Sequence, residues 1–94
     1  MIQTLEQQVF SYSDPGPRAI AALQDALVSA IKRGREVLID LDRLPELDNA
    51  ALRGLILLVR RAREAGGSLV VRTTRPELRD TLQVTALDRI VEVA

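Results

Sequence analysis

The chain contains no cysteine, no histidine and no tryptophan, and only one tyrosine and one phenylalanine. Each absence excludes something. Thiol nucleophiles, Ser/His/Asp triads, imidazole acid–base catalysis and nearly every zinc or iron site need Cys or His. Carboxylates, hydroxyls, amines and the backbone are the chemistry that remains, and no cofactor is expected. With so few aromatics, the core has to be built from Leu, Ile, Val and Ala. No apolar run is long enough to span a bilayer, and no basic stretch leads into an apolar leader segment. Direct membrane insertion is therefore not expected, and the cytoplasm is the expected location. The 13 basic and 13 acidic residues cancel to a net charge of +0. Phosphate-backbone binders usually carry a clear basic excess, so nucleic acid is not an expected partner.

What is present fits one ordinary globular domain over residues 1–94, at 47% hydrophobic and 28% charged residues. The first segment alternates weakly and predicts a strand around Val9 to Tyr12, ending at the turn Asp14-Pro15-Gly16-Pro17. Pro17 suits a first helical position. Ile20, Leu23, Leu27 and Ile31 then recur at helical spacing until Gly34. Val37 to Leu41 is too short for a helix and rich in aliphatic residues, which predicts a strand buried on both faces. A helix over Ala50 to Ala65 is closed by Gly66-Gly67, and Leu69 to Arg72 gives the next strand. A strand, a helix and a strand of these lengths form a right-handed crossover with parallel strands. Thr74-Arg75-Pro76-Glu77 has the form of a capping box opening a helix through Leu78 and Leu82. A turn at Leu87 to Arg89 and a strand at Ile90 to Val93 end the chain. The fold class is α/β.

The junction Leu44 to Leu55, LPELDNAALRGL, lies where parallel α/β folds receive ligands and partners. Asp48 or Asn49 suits an N-cap, because a short polar side chain accepts from the unpaired amides of a first helical turn. On a helical wheel Ala51, Leu52, Leu55, Leu58, Val59 and Ala62 share the core face. The opposite side carries Ala50, Arg53, Gly54, Leu57, Arg60, Arg61 and Glu64. A leucine among arginines, one turn after small residues, has the character of a contact patch. Asp48, Asn49, Ala50, Arg53, Gly54, Leu57, Arg60 and Arg61 are thus the candidate partner-binding residues. Charge is also segregated along the chain. Glu36, Asp40, Asp42, Glu46 and Asp48 precede a run of arginines from Arg53 to Arg79, which predicts two oppositely charged faces suited to selecting a protein partner.

VLIDLDRLPELDNAALRGLILLVRRAREAGGSLVV, followed by RPELRDTLQVTALDRI, resembles the STAS domain of bacterial anti-sigma-factor antagonists over nearly the whole chain from Val9. The resemblance implies a small sheet of about four strands, mostly parallel after the first, with helices packed against it. It also implies a non-catalytic module that binds an anti-sigma factor with kinase activity. In that family the loop reads Asp, small residue, Ser or Thr, Gly, Leu, and the hydroxyl is phosphorylated. Asp48, Asn49 and Leu52 match the acid, the small residue and the leucine. Ala50 occupies the acceptor position and Ala51 that of the glycine. No Ser or Thr occurs between Ser29 and Ser68. A phosphate would add about −1.5 to −2 charge at this helix start; Ala50 cannot carry it, so no phosphorylation is expected there. Family members also commonly begin with two strands. An abbreviated first strand leaves that sheet edge open to pairing with a second copy as a homodimer.

Two other functions compete. Some STAS domains are accessory subunits of membrane transporters, including ABC systems, and dock on the ATPase without being phosphorylated. More remotely, Asp40-Leu41-Asp42 resembles the Asp-x-Asp of haloacid-dehalogenase-type phosphatases. Those enzymes need further lysine and acidic motifs, and the one lysine, Lys32, falls on another helix. As a structural reading, Asp40 and Asp42 are strand-end polar residues meeting solvent.

Overall fold

The computed structural model describes residues 6–94. Its elements alternate strictly: β1 (Gln7–Ser11), α1 (Pro17–Lys32), β2 (Glu36–Asp40), α2 (Asn49–Glu64), β3 (Leu69–Arg72), α3 (Pro76–Val84), a 3-10 turn (Leu87–Arg89) and β4 (Glu92–Val93). The strands lie side by side in chain order and every pair is parallel. Parallel pairing extends to the first strand, which the family pattern had set apart, because α1 joins it to β2 by the same crossover that α2 makes between β2 and β3. Residues 1–5, where a further family strand would begin, lie outside the described residues.

A sheet whose right-handed crossovers all step in one direction collects its helices on one face. The core agrees. Val37, Ile39, Leu69 and Val71 of the sheet pack with Leu27 of α1, Leu55, Leu58 and Val59 of α2, and Leu78 and Leu82 of α3. Leu38 and Val70 point to the other face, beside Val9. Buried on both sides, β2 accordingly reads as the continuous apolar run seen in the sequence.

Helix boundaries follow local chemistry. Pro17 opens α1, and Gly34 takes the left-handed conformation after it at φ 75°, as Gly66 does after α2 at φ 85°. The expected capping box at α3 does not form. Arg75 is the N-cap residue, and Thr74 instead gives its hydroxyl to Asp42. The last strand is shorter than expected because the 3-10 turn carries the chain to Arg89 and leaves Ile90 partly exposed.

One close approach sets the angle between β1 and α2. The fully buried Tyr12 follows β1, and its hydroxyl donates to the Ala51 carbonyl at 2.8 Å. The ring passes over Gly54, where a Cβ would lie 2.1 Å from the Tyr12 hydroxyl and 2.7 Å from Ile20 Cδ1. Gly54 is therefore buried rather than exposed as the helical wheel places it, although it still borders the open groove between α1 and α2. A wheel drawn for α2 alone cannot register that Tyr12 and α1 close over that side. Leu52, assigned to the core face, is only half-buried at its margin.

Helix propensity favours alanine over glycine by about 1 kcal/mol, whereas overpacking costs ~1–3 kcal/mol. Gly54→Ala is expected to lower stability in denaturant unfolding. In a Tyr12→Phe background, which removes the nearest atom, the same substitution is expected to cost about 1 kcal/mol less. Equal cost in both backgrounds would refute this account of the glycine.

Candidate functional site

Parallel strands place three loops at one edge of the sheet: Tyr12 to Gly16, Leu41 to Asp48, and Thr73 to Arg75. Asp42 ties the second loop to the third. Its carboxylate accepts from the Thr73 hydroxyl at 2.7 Å, the Thr74 amide at 2.8 Å and the Thr74 hydroxyl at 2.8 Å. These donors, the Thr73 hydroxyl foremost, hold the Asp42 carboxyl below the usual carboxylate range. Asp40 accepts from the Asp42 amide at 2.8 Å and pairs with Arg72 at 3.1 Å. Asp42 thus fastens one loop to another, while Asp40 ends β2 and bridges to the end of β3; both stay partly open to solvent, as expected of polar residues at a strand end. Phosphatase chemistry gains nothing here, since Lys32 ends α1 and so falls at the opposite edge of the sheet from this mouth.

Arg75 completes the fastening. Its guanidinium donates to the carbonyls of Leu44 and, at 3.1 Å, Pro45, and its Nε pairs with Glu77 at 2.8 Å. Arg79 donates to Thr73 O at 3.2 Å and Ala94 O at 2.7 Å, and Arg63 to Ile90 O. Most of the arginine run is therefore spent on backbone carbonyls or on Asp40. One ion pair, Asp40 with Arg72, joins the acidic segment to the basic one, while Glu36, Glu46, Arg53 and Arg60 remain exposed. Arg53 and Arg60 make no hydrogen bond or ion pair among the described residues, and Arg61 has an exposed pair with Glu64 at 3.2 Å.

At the start of α2, Asp48 is the N-cap residue and accepts from the Ala51 amide at 2.9 Å. Asp48, Asn49 and Ala50 are all exposed, as is Leu57 at 43%. Burial, followed by the nearby charges of Asp48 and Asp14, pushes the Tyr12 phenol up to about 12, so the group under the mouth stays neutral. Ala50, Arg53, Gly54 and Leu57 line one open groove of about 370 Å³. Its other wall comes from Pro15, Pro17, Ile20 and Gln24 of the first loop and α1. Asp48 and Asn49 stand at the mouth without lining the groove, and Arg60 and Arg61 lie outside it.

The α1 wall escaped the sequence reading because Ile20 fits a core position equally well. The recurrence of Pro17, Ile20 and Gln24 on one helical face was the available signal. Among the hydroxyls near the mouth, Thr73 is buried at 1% and Thr74 is bonded to Asp42, whereas Ser11, at the end of β1, and Ser13 are exposed.

This arrangement is an α/β domain whose accessible features are a helix start, a fastened loop and an apolar groove. Comparison with known proteins agrees with it. A family model described as "Mlab, STAS domain" matches residues 14–92, and the chain belongs to the STAS domain family. The Bordetella bronchiseptica protein BtrV, whose name assigns it as an anti-sigma factor antagonist, is 30% identical over 73 residues. That match spans 77% of this chain and 63% of BtrV. A crystal structure from Thermotoga maritima, of a protein assigned to the same role, matches with a TM-score of 0.66 at 14% identity. It covers 93% of this chain and 77% of that one, and shows the shared fold.

A carboxylate whose folded-state pKa is depressed stabilises the fold above its unfolded pKa, and the effect is lost as pH falls through the folded value. Asp42→Asn is therefore expected to melt below the wild type at pH 7. The difference should shrink as pH is lowered past 3.8, the ordinary value for Asp42. A difference in Tm that persists undiminished down to the acid transition would show that Asp42 does not act through its charge.

Proposed function

We propose that the chain is a non-catalytic protein-interaction module of the anti-sigma-factor-antagonist kind. It binds its partner, an anti-sigma factor with kinase activity, through the groove between α1 and α2, without phosphorylation control at Ala50. The observation that carries this reading is the groove. An exposed Leu57 and Ala50 lie beside an unpaired Arg53 immediately after the loop that resembles the family phosphoacceptor loop. Apolar anchors beside arginine are the side chains that dominate interface energies when a partner buries them. Its complement is a surface with one apolar side chain for the groove and carboxylates for Arg53 and Arg60. Residence in the cytoplasm, where such partners act, is part of the proposal.

Ala50 makes recognition independent of modification. A methyl group at this position neither accepts phosphate nor adds charge beside Asp48, so binding rests on shape and charge alone. The same feature favours a second reading, an accessory subunit docking on a transporter ATPase, because such a role also needs no acceptor.

Calorimetric titration with the purified anti-sigma-factor kinases and transporter ATPases of the same genome tests both. Leu57→Asp is expected to weaken binding about 30-fold or more, the loss of ~2 kcal/mol typical of an interface hot spot. Its Tm is expected within about 4 °C of the wild type. Incubation with kinase and ATP is expected to leave the intact mass unchanged. Unaltered binding by Leu57→Asp would remove the groove from the interface. Phosphate on Ser11 or Ser13 with loss of binding would overturn constitutive recognition, and binding to the ATPase alone would select the second reading.

A further inference from the structure

The sheet has two edges, and they are guarded unequally. β4 is only two residues long and carries the exposed Glu92, so it offers little to an incoming strand. β1 has five residues, Gln7-Gln8-Val9-Phe10-Ser11, with no charge, no proline and no bulge. Natural edge strands are usually blunted by one of these devices, because an open row of amides and carbonyls templates further pairing. Among the described residues nothing pairs with the outer side of β1. α1 rests mainly on β2 and α2, so the helix layer is centred away from this edge.

The hydrogen bonds fix which groups point outward. The Tyr12 amide donates to Asp40 O and the Glu6 carbonyl accepts from the Glu36 amide, each at 2.9 Å. The even-numbered residues of this stretch thus turn their backbone groups toward β2. By alternation Gln7, Val9 and Ser11 turn theirs away from the sheet. A two-fold axis perpendicular to the sheet at Val9 places β1 antiparallel to β1 of a second copy. Val9 then faces Val9 of the second copy in a hydrogen-bonded pair, and Gln7 faces Ser11 in two more. Every outward amide and carbonyl of both strands is satisfied in this one register. Among the described residues, centring the axis on another residue leaves some of them unpaired.

Side chains and charges agree with that register. Val9 is 48% exposed although it belongs to the outer-face row with Leu38 and Val70. Pairing at Val9 continues that apolar row across the joint into the second copy and covers Val9. Gln8 and Phe10 meet Phe10 and Gln8 on the helix side. Glu6, already paired with Arg35 at 3.5 Å, comes opposite Tyr12, so no like charges are opposed along the strand.

From the unguarded edge, the outward set of backbone groups and the self-complementary register, we propose that two copies associate through antiparallel β1–β1 pairing centred on Val9, making one continuous sheet. The joint lies on the edge strand and uses none of the residues that line the α1–α2 groove.

Sedimentation equilibrium of the wild-type chain over a wide concentration range, together with Val9→Lys, tests this. The wild type is expected to dimerise reversibly. Val9→Lys, which sets two ammonium groups against each other at the axis, is expected to weaken the dimer about tenfold or more with Tm nearly unchanged. The chain lacks cysteine, so single replacements report the register cleanly. With a short bismaleimide, Val9→Cys is expected to cross-link by itself, whereas Gln7→Cys and Ser11→Cys cross-link only when mixed. A wild type that stays monomeric at millimolar concentration, a dimer indifferent to Val9→Lys, or cross-linking by Gln7→Cys alone would overturn the proposal.

Discussion

The contact between Tyr12 and the start of α2 is the constraint on which the rest of the molecule depends. A buried phenol bonded to the Ala51 carbonyl, with its ring laid over Gly54, brings the end of β1 and the start of α1 against the amino-terminal half of α2. That approach makes one wall of the groove from Pro15, Pro17 and Ile20 and the other from Ala50, Arg53 and Leu57. Only a residue without a side chain at position 54 admits it. The single tyrosine of a chain otherwise poor in aromatics thus sets the geometry of the α1–α2 groove.

Two further fastenings hold the mouth. Asp42 gathers three donors from Thr73 and Thr74, and Arg75 reaches back to the carbonyls of Leu44 and Pro45. The loop before α2 is therefore tied at both ends, by Asp42 at its start and by the Asp48 cap at its finish. A loop held this way presents Asn49 and Ala50 in a defined place, which lowers the ordering cost of a recognition event there. It also explains why Arg75 and Arg79 are not free to act elsewhere: their guanidinium groups satisfy carbonyls of Leu44, Pro45, Thr73 and Ala94.

The functional reading and the β1 joint use different parts of one sheet. Parallel topology sends every crossover to the same face and leaves β1 at an edge, so helix starts gather at one end of the molecule while one strand is left without a neighbour among the described residues. The first of these surfaces carries the proposed function. The second is proposed from the outward backbone groups of β1 and the exposure of Val9.

The α/β order, the parallel strands, the cap at Asp48 and the exposure of Leu57 were legible in the sequence. Each depends on spacing within one element or on the chemistry of adjacent residues. The absence of Cys, His and a hydroxyl at Ala50 likewise set limits that no fold can lift. What the sequence did not disclose were contacts between segments far apart along the chain. Gly54 looked exposed until Tyr12 and Ile20 were seen to close over it, and Thr74 looked like a cap until Asp42 took its hydroxyl. The arginine run looked like a charged face until Arg63, Arg75 and Arg79 were found on carbonyls. Periodicity reports which side of an element is apolar, but which partner reaches that side depends on how the crossovers stack, and only the tertiary structure decides that.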